Sequence, residues 1–249
     1  LIMLFAAFAS AASPEAAAAP LSLKPAGKLG PIPGDLFHVQ GISVATDSIY
    51  ITSVDQKAGK GYLWKIDRAT MKTAAKKEIS ELMMYHPSGL QATGGSIYLA
   101  IAVYTEKSNS KVLVIDEKTL KVKKSFRVPD HIGWIASDGG GIIHGGNWDS
   151  EIFYSWDEKG KQLSSRPNPT THGYQDCKLR GRILACSGGG YVDFINIDTW
   201  SVEKTYQPTA MSLKGNRMTR EGLDYQDGSF YFMPDDGAGS FIYKFTSKK

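Results

Sequence analysis

The sequence predicts an all-β fold, a five-bladed β-propeller whose blades are four-stranded and antiparallel. Three observations predict it: a ten-residue window that recurs five times, a turn at the same columns of each window, and an apolar third strand that follows each window. A repeat of about 45 residues is typical of propeller blades. The windows are Gly41–Tyr50, Gly89–Tyr98, Trp134–Ile143, Gln175–Leu184 and Gly222–Tyr231.

Each window is predicted to be a β-hairpin. Gly-Gly and Asp-Gly supply the positive φ angles of two-residue turns, and the flanking Ile, Tyr, Phe and Leu suit a pleated sheet. The predicted turns are Thr46-Asp47, Gly94-Gly95, Gly139-Gly140, Arg180-Gly181 and Asp227-Gly228.

The third strands end on turns, and in the first four copies a polar strand follows. These third strands are Tyr62–Asp67, Val112–Asp116, Ile152–Asp157, Asp193–Asp198 and Phe241–Thr246. The fifth copy stops after its third strand, so we expect Leu21–Leu29 to supply the missing outer strand and close the ring. Two alternatives stay open: a six-bladed ring with a further hairpin in Leu21–Phe37, and a β-sandwich.

Residues 1–20 are predicted to be a signal peptide or a disordered leader, and residues 21–249 a single propeller domain. The leader is an apolar run followed by small residues, which indicates secretion to an extracytoplasmic space. Cys177 and Cys186 allow one bridge. The turn at Arg180-Gly181 would place the two cysteines diagonally across the hairpin, and this placement does not decide whether they form a disulfide.

Composition excludes several functions. The net charge of +4 is small and the lysines are scattered, so no nucleic-acid partner is expected. Beyond the leader no apolar stretch is long enough to cross a membrane, and no motif for a serine nucleophile or a phosphate-binding loop is complete. The Ser187–Gly190 run lacks the Lys-Ser or Lys-Thr that a phosphate loop needs.

Four of the five histidines share one column of the repeat, three residues before each window. They are His38, His86, His131 and His172, and Thr219 occupies the column in the fifth copy. In a propeller this column lies at the mouth of the central channel, so the imidazoles are predicted to converge and to bind one divalent metal ion. The competing interpretation is a repeated hydrogen bond between blades.

Loops at the same rim are predicted to form a polar pocket for a small molecule or a saccharide. The predicted pocket residues are Gln40, Asp55, Tyr104, Glu106, Asn147, Trp148, Gln175, Asp176, Asp235 and Asp236. His86 and His131 are the predicted acid–base pair, and Arg220 and Glu221 complete the predicted catalytic set. Arg220 would clamp a substrate carboxylate. A hydrolase or lyase is one hypothesis, and a non-catalytic propeller that binds a surface or secreted partner is the other.

Several motifs carry a family resemblance. The segments YHPSGL from Tyr85, DHIGW from Asp130, GYQDC from Gly173, MTR from Met218 and FMPDD from Phe232 resemble those of an uncharacterised family of exported propellers with a domain of unknown function. The resemblance covers nearly all of the chain after Leu29. It implies the fold and export but no activity.

A more distant resemblance is to the plant-type glutaminyl cyclotransferases, which are five-bladed propellers. FHVQGI from Phe37 resembles their Phe-Thr-Gln-Gly-Leu segment, and Gly133-Trp134 with Asp138-Gly139 resembles their Gly-Trp-Gly-Leu segment. That family has glutamates where this chain has His86 and His131, and YQDC from Tyr174 replaces its Asn-Glu-Leu-Glu segment. The resemblance therefore implies the shape, with cyclotransferase activity as a minor alternative.

Overall fold

A computed structural model describes residues 19–247 of the chain. The predicted leader lies almost entirely outside these residues. The described part contains twenty-one β-strands and one short 3-10 helix, so the fold is all-β as predicted. Among these residues no helix has the length and apolar character needed to cross a bilayer.

The strands follow one another as hairpins, and most are six to nine residues long. They are β1 Leu21–Leu29, β2 His38–Val44, β3 Ser48–Asp55, β4 Lys60–Asp67, β5 Thr73–Glu78, β6 Met84–Pro87, β7 Gln91–Thr93, β8 Ser96–Val103, β9 Ser110–Asp116, β10 Val122–Val128, β11 Ile132–Ser137, β12 Ile142–Asn147, β13 Ile152–Asp157, β14 Gln162–Pro167, β15 Tyr174–Arg180, β16 Ile183–Gly188, β17 Tyr191–Asn196, β18 Ser201–Gln207, β19 Gly222–Gln226, β20 Ser229–Met233 and β21 Ile242–Ser247. The 3-10 helix, Met218–Arg220, lies between β18 and β19.

Hydrogen bonding groups the strands into four sheets. β2 to β5 form one, β6 to β10 a second and β11 to β14 a third. The fourth sheet has eight strands, because two antiparallel groups, β15 to β18 and β19 to β21 with β1, are joined by a parallel pairing of β1 with β18. That pairing involves only Leu21 with Tyr206 and Ser22 with Gln207.

The N-terminal strand lies where the sequence places it. β1 pairs antiparallel with β21 along its length, from Leu23 opposite Ser247 to Leu29 opposite Ile242. The first and last parts of the propeller-like chain are therefore joined by main-chain hydrogen bonds.

The first three sheets and the two halves of the fourth make five strand groups. Apolar side chains fill the spaces between neighbouring groups. Five core clusters are present in the described chain, each formed by residues of two successive groups, and one cluster packs Ile42 and Ile51 of the first group against Tyr231 and Ile242 of the last. Burial of these faces is the main force that holds the groups side by side.

Buried polar side chains tie the innermost strands together. The Asp176 carboxylate on β15 accepts hydrogen bonds from the backbone N–H groups of Ile42 and Leu223, each at 3.1 Å. Gln91 on β7 accepts a hydrogen bond from the Leu179 N–H at 2.8 Å and donates to the Leu179 carbonyl at 2.9 Å. These bonds connect β15 with β2, β19 and β7 near the centre of the molecule.

Close approach at this centre requires glycine. A Cβ on Gly89 would lie 2.5 Å from Oδ1 of Asp176, closer than side-chain atoms tolerate. The predicted first strand of the second window is interrupted here, between β6 and β7. Gly89 instead bonds to the next group, donating to the Gly133 carbonyl and accepting from the Ile135 N–H.

Two hairpin turns differ from the prediction. In the third window Ser137 pairs with Ile143, so the turn spans more residues than Gly139-Gly140. In the fourth window Arg180 pairs with Ile183, so the turn is Gly181-Arg182. The one-residue shift places Cys177 directly opposite Cys186, and they form a disulfide. The predicted diagonal placement of the two cysteines is wrong.

Candidate functional site

A cavity of about 230 Å³ opens where the innermost strands begin. We call it the axial cavity. Its lining residues are His38, Gln40, His86, Tyr104, His131, Gly133, Trp148, Asp149, Tyr174, Gln175, Arg220 and Glu221. It has room for about a dozen non-hydrogen atoms at the usual packing density of organic matter.

One wall of the axial cavity is aromatic. The rings of His86 and Tyr104 stack with centroids 3.9 Å apart, and Trp148 lies edge-on to His131 at 4.4 Å. Such a wall offers flat apolar faces to a planar group or to the face of a sugar ring.

The two histidines of this wall form a defined hydrogen-bonded pair. Nδ1 of His131 lies 2.9 Å from the Thr105 carbonyl oxygen, which can only accept, so this nitrogen carries the proton. Nε2 of a neutral His131 is then an acceptor, and it receives a hydrogen bond from Nδ1 of His86 at 3.0 Å. Nε2 of His86 is thereby left as an acceptor.

This acceptor atom is available to a ligand. Within residues 19–247, Ser187 Oγ is the single side-chain N or O atom that is both fully buried and without a hydrogen bond. Nε2 of His86 has no protein partner there, so it retains contact with the cavity. Burial, with the nearby His131 and His38, lowers the pKa of His86 to about 2, and burial also lowers the pKa of His131. Both rings are therefore neutral at neutral pH.

Another part of the lining, which forms a second wall, is charged. Nδ1 of His38 lies 3.2 Å from both carboxylate oxygens of Asp236, and Nη2 of Arg220 donates to Oδ2 of Asp236 at 2.8 Å. Burial raises the pKa of Asp236, but His38, the Val39 N–H and Arg220 together outweigh it, so the net pKa is lowered. Burial lowers the pKa of His38, but Asp236 and Glu221 outweigh it and the net pKa is raised.

Glu221 completes this wall. Its side chain is only 5% exposed, and its nearest charged atoms are Nε of Arg220 at 3.4 Å and Nδ1 of His38 at 3.8 Å. No side-chain hydrogen bond from the described residues reaches it. Burial raises the pKa of Glu221 to about 8, with Asp236 adding to the rise and His38 and Arg220 opposing it. At neutral pH this carboxyl is mostly protonated at the cavity surface.

The metal prediction is changed by the structure. The described residues contain one group of three whose ligand atoms lie within 4.8 Å of one another, and it is His38, Glu221 and Asp236. The predicted ligands His86 and His131 are not part of this group, and they form a hydrogen bond with each other. The Arg220 cation already lies beside both acidic side chains of the group, 2.8 Å from Asp236 and 3.4 Å from Glu221.

His172 does not join the other three histidines. Its Nδ1 lies 2.6 Å from Oδ2 of Asp193, and its ring stacks on Tyr191 at 4.4 Å. Asp193 also accepts hydrogen bonds from Tyr174 and Thr205. His172 is thus held by hydrogen bonds within its own strand group, whereas the competing interpretation of the histidine column expected a bond between blades.

The predicted pocket residues divide into two sets. The structure brings Gln40, Tyr104, Trp148 and Gln175 to the cavity lining. Asp236 lies behind the lining and orients His38 and Arg220.

The remaining predicted pocket residues lie elsewhere. Asp55 accepts from the Ala58 N–H in a turn, Asn147 accepts from the Ile152 N–H, and Glu106 is exposed. Asp176 is fully buried beside Lys178 and Asp235 is buried beside Ser212 and Asn216, so neither reaches the lining.

Two further side chains line the cavity. Asp149 follows Trp148 in a loop that the sequence places at the rim, although it was not among the predicted pocket residues, and Tyr174 was not predicted. Tyr174 lies at the start of β15, and its hydroxyl donates to Asp193 at 2.7 Å. Asp149 is an exposed carboxylate that shares the cavity with buried Glu221.

The chain matches one family model. The model is described as a family of unknown function (DUF6454), and it covers residues 14–191. No curated protein matches the chain by sequence.

Several solved structures resemble the fold. Glutaminyl cyclase from Myxococcus xanthus superposes with a TM-score of 0.69 at 10% identity, over 93% of this chain and 100% of that chain. A protein of unknown function from Bacteroides caccae gives a TM-score of 0.55 at 12% identity, over 80% of this chain and 71% of that chain. The Dos1 propeller gives a TM-score of 0.46 at 14% identity, over 81% of this chain and 51% of that chain, and this weak likeness supports no conclusion. At these identities the likeness is one of fold.

Proposed function

Because the chain belongs to the DUF6454 family, whose function is unknown, we propose its activity from the axial cavity: an enzyme that moves a proton through Glu221 while hydrolysing or cleaving a saccharide or another small polar molecule. The observation that carries the proposal is the Glu221 carboxyl, with a pKa of about 8 and no hydrogen-bond partner among residues 19–247, at the surface of a small polar cavity. A group with a pKa near the working pH both donates and accepts protons efficiently.

The other lining groups suit this role. The Arg220 guanidinium neutralises an anionic group on the substrate or the charge that develops beside Glu221. Neutral His86 offers Nε2 as an acceptor and orients a hydroxyl or amide. Its low pKa makes it a poor base, so Glu221 replaces His86 and His131 as the proposed proton carrier. Glu221 and Asp149 both line the cavity, and glycoside hydrolysis commonly uses two carboxyl groups that flank the scissile bond.

We also propose that the five strand groups form a five-bladed propeller closed by β1. Support comes from the five core clusters between successive groups, one of which links first to last. The eight-stranded sheet is consistent with two blades that touch at their outer edges, since only two residue pairs join its halves.

Export is part of the proposal. The Cys177–Cys186 disulfide and the apolar leader both favour an oxidising, extracytoplasmic compartment. Mass spectrometry of the protein isolated from its native host under thiol-trapping conditions tests this. Two free thiols and an intact residue 1 would contradict it.

The activity test compares Glu221→Gln with Glu151→Gln, which removes an exposed carboxylate outside the cavity. Wild-type protein is incubated with neutral and acidic oligosaccharides and with a peptide that begins with glutamine, included because of the fold likeness to glutaminyl cyclase. Products are followed by mass spectrometry. We expect turnover to fall at least about 100-fold in Glu221→Gln and to be unchanged in Glu151→Gln. Equal turnover in both variants would refute the role of Glu221.

A divalent metal site at His38, Glu221 and Asp236 is a second candidate, favoured by the closeness of their ligand atoms. Arg220 opposes it, because a dication would repel the guanidinium that lies 2.8 Å from Asp236. Calorimetric titration with Zn²⁺ decides whether this group binds a metal ion. Tight binding that is lost in His38→Ala supports a metal, and no binding by wild-type protein rules it out. A ligand that binds without turnover would instead favour the non-catalytic propeller.

A further inference from the structure

Two further cavities adjoin the axial cavity. A second cavity of about 430 Å³ shares Gln175 and Arg220 with it, and a third of about 390 Å³ shares Gly189, Gly190, Met211 and Arg217 with the second. We call the second and third cavities the outer groove. The shared lining residues make the three cavities neighbours in one row, from Glu221 in the first to Gln207, at the end of β18, in the third, and we call this row the path.

The floor of the outer groove is bare main chain. Gly189 and Gly190 have φ angles of +59° and +98°, and the Gly190 N–H donates to Thr219 Oγ1 at 3.0 Å. This is the Ser187–Gly190 run, for which the proposed activity has no use. Without side chains on these two residues, a ligand can approach the backbone closely.

The far wall is held in place by hydrogen bonds. It is the 208–217 segment, in which Ser212 donates to Asp235, the Leu213 N–H donates to the Tyr243 hydroxyl, and Nδ2 of Asn216 donates to Asp235 at 2.9 Å. The outer groove is therefore a preformed feature of the fold.

The charge of the outer groove is positive. Arg217 lines both of its cavities, and no acidic residue of the described part of the chain lines either one. Among the described residues no carboxylate forms an ion pair with Arg217, whereas Arg220 pairs with Asp236. A guanidinium without a counter-charge in a groove favours a carboxylate ligand, which it can bind through two parallel hydrogen bonds.

The shape and polarity of the path favour a saccharide over a peptide. Peptides that bind in grooves commonly add a strand to a free sheet edge. Both edges of β18 are used near the groove, since Tyr206 pairs with Val192 and Leu21. The polar side chains along the groove, such as Gln175, Asn216 and Thr209, are instead suited to hydroxyl groups.

We propose that the outer groove binds the continuation of an acidic saccharide chain whose terminal unit occupies the axial cavity, and that Arg217 recognises a carboxylate on that continuation. The inference rests on the proposed function, because it assumes that the axial cavity takes the reacting unit. The substrate class is then an oligosaccharide that contains uronic acid, cleaved at its end.

The test measures binding, so that it does not depend on turnover. Trigalacturonate, galacturonate, neutral maltotriose and the acidic peptide triglutamate are titrated calorimetrically at low salt into the Glu221→Gln protein, alone and combined with Arg217→Gln or Arg217→Lys. Arg127→Gln is the matched control, because it removes an exposed arginine remote from the groove. Thermal unfolding of each variant confirms that it is folded.

We expect trigalacturonate to bind at least about tenfold more tightly than either other sugar, and Arg217→Gln to remove that advantage while Arg127→Gln preserves it. Equal affinities for the two trimers, or an unchanged affinity in Arg217→Gln, would overturn the inference. If galacturonate binds and trigalacturonate binds no more tightly, the proposed role of the outer groove is refuted, but the proposed site in the axial cavity is not. Tighter binding of triglutamate than of trigalacturonate would overturn the saccharide assignment.

Discussion

Replacement of Asp176 by alanine is expected to lower the free energy of unfolding by about 3–5 kcal/mol. The side chain is fully buried, and one carboxylate oxygen accepts a hydrogen bond from Lys178, which is also fully buried. The other oxygen accepts from the Ile42 and Leu223 N–H groups. The alanine variant leaves a buried ammonium without its nearest counter-charge and two main-chain donors without an acceptor. Typical domains have only about 5–15 kcal/mol in total, so the loss is severe.

The assay is urea unfolding at neutral pH, followed by circular dichroism and by tryptophan fluorescence. Asp198→Asn is the control, because it breaks the exposed ion pair with Arg182 and should cost no more than about 1 kcal/mol. The double variant Asp176→Asn with Lys178→Met removes both charges, and it should be more stable than Asp176→Ala. Equal stability of Asp176→Ala and Asp198→Asn would refute the proposed role of this buried pair in joining β2, β15 and β19.

Two further perturbations test the site and the ring closure. Glu221 has its pKa raised from 4.5 to about 8 by burial, so the folded state binds the extra proton and stability should fall as pH rises from about 4.5 to 8. The Glu221→Gln variant lacks this loss of stability, which amounts to at most about 4–5 kcal/mol. In urea unfolding, the free energy of unfolding of the variant should therefore rise relative to that of the wild type between pH 5 and 9. The same pH dependence in both proteins would contradict the raised pKa. Deletion of residues 21–30 removes β1 from β21, so calorimetry should show a lower melting temperature for the whole domain, whereas a wild-type melting temperature would count against closure.

The sequence repeat predicted most of the strand pairs and turns of the fold. Hairpin turns at Thr46-Asp47, Gly94-Gly95 and Asp227-Gly228 have the predicted register because each offers one favourable turn position. The glycine run after Asp138 permits several turns, and the structure adopts a longer one. In the fourth window the turn moved by one residue, which a two-residue periodicity alone does not decide.

The shared column predicted that His38, His86 and His131 would meet, because it fixes where each inner strand begins. It did not predict that His172 would turn to Asp193, since that carboxylate lies 21 residues away on another strand of its group. The raised pKa of Glu221 was also beyond sequence reasoning, because it comes from burial by surrounding strands.

The central claim is that Glu221 lines the axial cavity as a carboxyl group that is protonated at neutral pH. The direct measurement is a ¹³C NMR titration of the glutamate side-chain carboxyls, with the Glu221 signal assigned by its absence from Glu221→Gln. The account predicts a midpoint near pH 8. A midpoint near the ordinary value of 4.5 would contradict it.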